Sequence, residues 1–438
     1  MQQINVGILG CGTVGSGTAQ ILLEKRKLMF ERTGIDIQLR RIADIDLSRS
    51  KGLNLAPGVM TADAGAVVDD PEIHIVVELI GGKTIAKDFI IRAINNGKHV
   101  VTANKALLSA HGNDIFPLAA QKGVDVAYEA SVGGCMPIIK SIRESLVANT
   151  IHSIRGILNG TCNYILSKMT AEGCAFDQVL REAQEKGFAE ADPTLDVDGF
   201  DAAHKLAILN AIAFGMTINL EDVYIEGIRR ITPVDIEFAR DFGYTVKLLA
   251  ISKQADGAVE ARVHPTMIPF DNMLAGVSGA LNAVTVVGDC VEDMLLYGRG
   301  AGRMPTASAV VSDIVDIARN IVSGSHGRVP ALSYRPEAIR PAPVLSIDRL
   351  HTRYYFRFAA ADRPGVLSKI AGALGGHNIS IKSVNQKGRY FGGHTPLVML
   401  THKACEADVK KALAEIASFD IVEGEPVVIR IEDENGDL

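Results

Sequence analysis

The sequence predicts an α/β fold class in three parts: a doubly wound parallel sheet, then an α+β domain, then a ferredoxin-like module. Three observations carry that reading. Strand-like and helix-like runs alternate over the N-terminal quarter. A glycine-rich turn, Gly10-Cys11-Gly12-Thr13-Val14-Gly15, separates the first strand from the first helix. From Tyr354 onward the pattern reads β-α-β-β-α-β, the order of a ferredoxin-like unit.

Taken in order, Asn5–Leu9 is apolar and ends in glycine, as a buried strand does. Thr13–Phe30 has apolar residues at helical spacing. Ile35–Ile42 reads as the second strand and closes on Ala43-Asp44; Ile73–Leu79 is the third, and His99–Val101 the fourth, after a turn at Gly97. Strands alternating with helices specify a parallel sheet covered on both faces, and right-handed crossovers fix most of its topology. This first domain is expected over 1–130, completed by a long amphipathic helix at about 306–322 that packs back on it.

Residues 131–305 change character. Ile138–Leu146, Cys162–Glu172, Phe176–Lys186 and Asp201–Phe214 read as helices, with strand-like runs between them. Residues 323–350 are rich in Gly, Pro, Ser and Arg, the composition of a linker. The last domain, 351–438, has expected strands Tyr354–Ala360, Ile379–Gln386, Thr395–Thr401 and Glu425–Ile431, and helices Gly365–Leu374 and Glu406–Ala417.

Composition narrows the function classes. A chain of 438 residues with 47% hydrophobic and 22% charged residues is long enough for large cores. The formal net charge of −6 offers no broad basic surface for nucleic acid or anionic lipid. The six cysteines include no Cys-x-x-Cys pair, which disfavours a structural zinc site and suits a reducing cytoplasm. No apolar run reaches the roughly 18–20 residues of a membrane helix, and the N-terminus does not read as a signal peptide. A cytoplasmic location is expected.

The glycine turn fits a Rossmann-type dinucleotide fingerprint. Gly10 permits the tight turn, Gly12 lets backbone approach a pyrophosphate, and Gly15 brings helix and strand together. The helix N-terminus then presents free N–H groups to the phosphates. Asp44 ends the second strand, where a carboxylate holds a ribose 2′-hydroxyl. It stands further past Gly15 than the usual ~20 residues, as a long first helix would require. Arg49 and Lys51 lie close by, so the sequence leaves NAD and NADP both open, and a merely solvated strand end fits Asp44 too.

Residues 190–205 concentrate Glu190, Asp192, Asp196, Asp198 and Asp201 ahead of and within one helix start that also holds His204 and Lys205. Asp198-Gly199 supplies an N-cap. Asp201 and Lys205 are four apart and share a helix face. Beyond them the helix is apolar except for Asn210, so it is expected to be buried with its charged turn facing a cleft. The helix dipole and burial disfavour the charged lysine, while nearby carboxylates oppose them, and an amine so balanced exchanges protons near neutrality. An ordinary surface ion pair satisfies the same spacing. Lys105, after the fourth strand, stands where ligands bind in open parallel sheets, though an exposed loop lysine fits as well. The Glu129–Pro137 turn exposes carbonyl oxygens suited to a hard cation, but its spacing alone is a poor argument for a metal.

These segments resemble the homoserine dehydrogenase family. The motifs are GCGTVG at 10–15, TANK at 102–105, YEASVGG at 128–134, NGTCNYIL at 159–166, GFAEADPTLDVDGFDAAHK at 187–205 and GRGAGRMPTA at 298–307. The likeness spans about 1–322, and the 187–205 block is the most specific part. It implies NAD(P)-dependent interconversion of L-homoserine and L-aspartate 4-semialdehyde, towards threonine, methionine and isoleucine. It implies Lys205 as the catalytic acid/base, and Glu190, Asp201 and Lys105 at the substrate. Gly10, Gly12, Thr13, Val14, Gly15, Asp44, Lys105, Gly187 and Gly302 would line the cofactor site. A sodium ion would lie at Glu129, Val132, Gly134 and Met136, mostly on main-chain carbonyls. Cys11 stands where the family usually has an aromatic residue, and Cys135-Met136 replace a commoner pair. An arginine often found after the first strand-end aspartate is missing, which leaves NADP preference open.

The C-terminal module, with Asp362-Arg363-Pro364-Gly365-Val366-Leu367 at its first strand–helix turn, resembles an ACT domain. That resemblance implies a threonine effector, and a purely dimerising module is the alternative. A homodimer or homotetramer is expected, with no nucleic-acid or membrane partner. The rival functions are a non-catalytic NAD(P)-binding amino-acid sensor and a dehydrogenase for another small hydroxy or amino acid.

Overall fold

The computed structural model describes residues 2–255, 257–386 and 394–433. Parts of the expected C-terminal domain, 387–393 and 434–438, lie outside the described residues.

The N-terminal unit contains β1 (Gln3–Leu9), α1 (Thr13–Glu24), α2 (Arg26–Thr33), β2 (Asp36–Ala43), β3 (Met60–Thr61), α3 (Gly65–Val68), β4 (Ile75–Glu78), α4 (Thr84–Asn95), β5 (His99–Thr102), α5 (Lys105–Lys122) and β6 (Val126–Ala127). Its six strands are all parallel, in the order β3-β2-β1-β4-β5-β6. Chain direction across the sheet reverses between β1 and β4, and a crevice opens there at the carboxyl ends of the strands.

The middle contains α6 (Ile138–Lys140), β7 (Ile151–Ile157), α7 (Gly160–Glu172), α8 (Phe176–Glu185), α9 (Thr194–Val197), α10 (Phe200–Phe214), β8 (Tyr224–Ile225), α11 (Pro233–Asp241), β9 (Tyr244–Ala255), β10 (Ala258–Pro269), β11 (Leu281–Gly288), β12 (Glu292–Arg299) and α12 (Arg303–Ser323). The C-terminal unit adds β13 (His351–Ala361), α13 (Val366–Gly376), β14 (Ile381–Gln386), β15 (His394–Thr401), β16 (Ala404–Cys405), α14 (Glu406–Ala417) and β17 (Val422–Ile431).

The last two units share one sheet, ordered β12-β11-β7-β9-β10-β17-β13-β15-β14. The join is the short parallel pairing of β10 with β17, Thr266 to Arg430 and Met267 to Ile431. Buried ion pairs reinforce it. Arg430 meets Glu406 at 2.9 Å and Glu226 at 2.8 Å. Glu432 meets Lys253 at 2.7 Å and Arg262 beside it. Asp235 on α11 accepts from Arg357 at 2.6 Å and from the Tyr355 hydroxyl at 3.0 Å. Each charge lost from water is matched by an opposite charge and further hydrogen bonds, the condition for tolerating it inside.

α10 is the central beam. Every residue from Asp201 to Ala213 is buried, which only a helix walled on all sides can sustain. Asn210 and the two charged groups near its start are the costly exceptions. α12 packs on α1, where Gly17 allows the close crossing: a Cβ there would lie 2.8 Å from the Arg303 carbonyl oxygen.

Several expectations change. The single helix over Thr13–Phe30 breaks at Lys25, whose φ of −105° and ψ of 11° end α1. Beyond the break Arg26 forms two 2.7 Å bonds to Asp36, and α2 turns across β2 to make them. The helix expected over Ile138–Leu146 widens into a π turn at Ser141–Ser145. There Arg143 donates to the carbonyls of Pro330 and Val329, at 3.1 and 3.2 Å. Asp198 does not cap α10. Gly199, at φ 89°, is the N-cap with no side-chain bond, and Asp198 pairs with Arg229 at 2.5 Å instead.

The proline-rich linker is a bound strap. Beyond Arg143, it takes the Tyr128 hydroxyl on the Ala331 carbonyl, and Tyr334 reaches the Ala213 carbonyl at 3.2 Å. Arg340 exchanges backbone bonds with Gly215 and Thr217, and Val259 bonds Pro343 and Leu345. Proline withholds a donor but leaves its carbonyl free to accept, so a proline-rich chain docks on side-chain donors. Among the described residues no helix is long and apolar enough to cross a membrane.

Lys247 on β9 is buried with its ammonium on the Val277 carbonyl at 2.6 Å and the Asn163 amide oxygen at 3.3 Å. Burial pushes its pKa down to about 8, below the unfolded value of about 10.4. The penalty of the buried charge is thus full below pH 8 and is relieved as pH rises from 8 towards 10. We expect the unfolding free energy of the wild type to gain up to about 3 kcal/mol relative to Lys247→Met over that window. Denaturant midpoints of the two at pH 7, 8, 9 and 10 check this, and parallel pH curves would refute it.

Candidate active site

The glycine turn forms as its spacing demands. Gly10 adopts φ 95°, and a Cβ on it would come within 2.6 Å of the Leu79 carbonyl oxygen. A Cβ on Gly15 would lie 1.9 Å from the Gly10 oxygen. Around Gly12 the position of a Cβ has nothing within 4 Å, and Gly12 caps α1 with no side-chain bond. The first N–H groups of that helix, on Thr13 and Val14, have no intrahelical acceptor and no side-chain cap, and are the kind of donors a helix start offers a phosphate.

Asp44 is committed to the turn itself. Its carboxylate accepts from Cys11 N at 2.6 Å and Asp46 N at 2.9 Å, and Arg49 stands 3.3 Å away. Burial would raise its pKa, but those two N–H groups and Arg49 hold it below the usual carboxylate range. Asp44 is thus a brace for the loop, with a half-exposed guanidinium beside it.

β4 and β5 end in a second brace. Glu78, fully buried, accepts from Ile80 N and Gly81 N at 2.9 and 3.1 Å and from the Thr102 hydroxyl at 2.7 Å. Thr102 in turn accepts from Asn104 N, and Asn104 caps α5 through Leu107 N, both at 3.0 Å. This chain sets Lys105 in the first turn of α5, from where its ammonium lies 3.3 Å from Asp201 on α10.

Lys205 is only 8% exposed. Its Nζ donates to Asp201 Oδ2 and to the Leu158 carbonyl, both at 2.6 Å. An ammonium has three donors, so one remains for a ligand. The Leu158 carbonyl also accepts from Asn282 at 3.0 Å. Gly300 lies so close over Asn282 that a Cβ would be 2.1 Å from its amide carbon, which ties the 298–302 loop to the amine. Burial would raise the Asp201 pKa, but Lys205 and Lys105 hold it far below the carboxylate range. Burial, with Lys83, pushes the His204 pKa down.

Of the expected residues, Lys105, Asp201 and Lys205 converge. Glu190 lies exposed on the loop before α9, and its carboxylate has no partner among the described residues. Gly187 sits on the same loop at φ 72°. Gly302 caps α12 without a side-chain bond, leaving donors there as at α1.

In the 129–136 turn, Glu129 is buried and its two carboxylate oxygens accept from Ile139 N and Lys140 N, each at 2.8 Å. The Met136 carbonyl accepts from Ile138 N at 2.8 Å. Among the described residues the carbonyls of Val132 and Gly134 accept no hydrogen bond, which is the oxygen donor type a hard cation takes.

Three residues escaped the sequence reading. Asn159 bonds Asp196 and Asp201; Asp196 lies within the acidic block but had no role; Glu78 braces the crevice. An asparagine before Gly160-Thr161 is a legible helix cap, and an acid closing an apolar strand is a legible anomaly, but neither reveals its partner.

A dinucleotide crevice beside a buried lysine–carboxylate centre defines a nicotinamide-dependent oxidoreductase, here carrying an appended C-terminal α+β domain. Comparison gives the family. Residues 10–129 match the model of the homoserine dehydrogenase NAD-binding domain, 137–315 that of homoserine dehydrogenase, and 354–420 that of the ACT domain. The chain is 45% identical over 433 residues to homoserine dehydrogenase of Neisseria gonorrhoeae, covering 99% of each. It is 45% identical over 436 residues to that of Pseudomonas aeruginosa, covering 99% of this chain and 100% of the relative. A crystal structure of homoserine dehydrogenase from Thiobacillus denitrificans superposes with a TM-score of 0.93 at 48% identity over 99% of both chains. A hyperthermophilic archaeal homoserine dehydrogenase in complex with NADPH matches 72% of this chain and 98% of its own, with a TM-score of 0.63 at 27% identity. The chain belongs to the homoserine dehydrogenase family, and the fold class and enzyme class expected from the sequence stand.

Filling the open space at Gly12 tests the crevice. Gly12→Ala, at an ordinary φ of −67° with nothing to strike, should leave the melting temperature unchanged. Dinucleotide affinity should fall at least about tenfold, or ~1.4 kcal/mol, in a fluorescence titration. Unchanged affinity would place the cofactor elsewhere.

Proposed function

We propose that this enzyme interconverts L-homoserine and L-aspartate 4-semialdehyde with Lys205 as the acid/base. The observation that carries the reading is the buried Lys205 amine, held by two acceptors with a third donor position left over. The nicotinamide cofactor, when bound, supplies or takes the hydride. Lys205 donates a proton to the carbonyl oxygen as the aldehyde is reduced and accepts it from the alcohol in oxidation. Asp201 keeps the amine oriented and, with Glu190, presents carboxylates to the substrate ammonium. Lys105, just past the carboxyl end of β5, would contact the cofactor and lie near the substrate.

Gly10, Gly12, Thr13, Val14 and Gly15 would hold the diphosphate, with Gly187 and Gly302 lining the site. Asp44 would stand at the ribose of NADP or NAD, and half-exposed Arg49, beside Asp44 and Asp46, is the cation placed nearest a 2′-phosphate. A sodium ion would sit at Glu129, Val132, Gly134 and Met136, where it would fix the turn into α6 through main-chain oxygens. The ACT domain would bind threonine and inhibit. A cytoplasmic homodimer or homotetramer, working towards threonine, methionine and isoleucine, completes the reading.

Lys205→Ala should lower kcat by about 10³-fold or more, with dinucleotide affinity retained, as expected of a group acting in the transition state. Wild-type turnover in that variant would end the assignment. Arg49→Ala should raise KM for NADP several-fold and leave KM for NAD nearly unchanged; equal effects on both would remove Arg49 from cofactor choice. Initial rates with each cofactor, with and without threonine, test the effector.

A further inference from the structure

We infer that Asn159 is a positioning residue for the proton-exchange centre: its side-chain amide, locked as the cap of α7, spaces Asp196 and Asp201 and aims Asp201 at Lys205. The inference rests on the role proposed for Lys205.

Asn159 is 4% exposed and ends the turn after β7. Its Oδ1 accepts from Cys162 N at 2.8 Å, the N-cap bond of α7. That bond fixes which way the amide points, because only the oxygen can accept from a backbone N–H. Nδ2 must then face away from the helix, and each of its two hydrogens has a carboxylate. One goes to Asp196 Oδ1 at 2.7 Å, the other to Asp201 Oδ2 at 2.9 Å. Asp201 Oδ2 is the same oxygen that holds Lys205 at 2.6 Å. Leu158, the preceding residue, takes a second hydrogen of that amine on its carbonyl at 2.6 Å. Two adjacent residues thus grip both members of the pair, one by main chain and one by side chain.

The charges explain why a neutral amide is required there. Two half- or fully buried carboxylates repel strongly in a low-dielectric site. Asp196 is pushed up by burial and by Asp201. The titratable and charged groups facing this point are Asp196 and Asp198 around α9, Asp201, His204 and Lys205 on α10, Cys162 on α7, Lys105 on α5 and Lys83 before α4. Without the amide, Asp201 loses a donor that opposes its rotation toward Lys105, and the amine loses its direction.

Asn159→Ser and Asn159→Asp both keep a good N-cap for α7 but remove the bridging donor, and the second adds a third carboxylate. Homoserine oxidation should show kcat lowered about 30-fold in Asn159→Ser and about 100-fold or more in Asn159→Asp, with cofactor KM changed by less than about threefold. In Asn159→Asp the extra negative charge raises the proton affinity of the amine, so the acid limb of the kcat–pH profile should move up by about one unit. The position of that limb does not depend on how much enzyme is folded, so lost stability leaves the test intact. A limb in Asn159→Asp that superposes on the wild type, or an Asn159→Ser kcat within threefold of it, overturns the proposal. Lys205→Ala run alongside separates the two readings: turnover surviving there indicts the acid/base assignment instead of Asn159.

Discussion

The structure depends on keeping one ion pair, Asp201 with Lys205, inside the protein at the start of an apolar helix. A buried pair survives only where the remaining donors and acceptors of both groups are satisfied. Here that condition recruits four separate elements. The end of β7 supplies the Leu158 carbonyl, the cap of α7 supplies the Asn159 amide, α5 supplies Lys105, and β11 supplies Asn282 behind the carbonyl. The nucleotide-binding sheet and the central domain therefore meet at this point.

Both strand-end loops at the crevice are rigid for a related reason. Asp44 and Glu78 are acids at the carboxyl ends of parallel strands, and each accepts from two backbone N–H groups of the following or neighbouring loop, with Arg49 and the Thr102 hydroxyl as their further partners. A carboxylate accepting such bonds replaces hydration with fixed dipoles. These bonds hold the loops that would carry the dinucleotide in one shape, and a loop so braced costs less to order on binding.

The ACT unit is joined to the enzyme by a shared sheet as well as by the chain. β17 adds to β10, and Arg430 on β17 reaches Glu226, a few residues from the Arg229–Asp198 pair. Ile228 N bonds the Val197 carbonyl at 2.8 Å, just ahead of α10. The strap over 326–345 grips the far end of the same helix through Tyr334 and Arg340. The far end of α10 is thus held by the strap, and its near end by a central segment, 226–228, that Arg430 of the C-terminal unit reaches.

The sequence by itself determined the periodic and local features. Alternating strand and helix runs marked the parallel sheet, GCGTVG its phosphate turn, and the four-residue spacing of Asp201 and Lys205 their common face, since periodicity and backbone requirements are written residue by residue. It did not reveal the break at Lys25, the π turn after Lys140 or where the 323–350 linker docks, because the partners that cause these features, Asp36 for Arg26 and the 329–330 carbonyls for Arg143, are not given by local pattern. Asn159 between two carboxylates, Asp44 as a brace and the seam of β10 with β17 were decided by tertiary structure alone. Hydrogen bonds and charge compensation act over a few ångströms of space, and no local pattern encodes which distant group will arrive there.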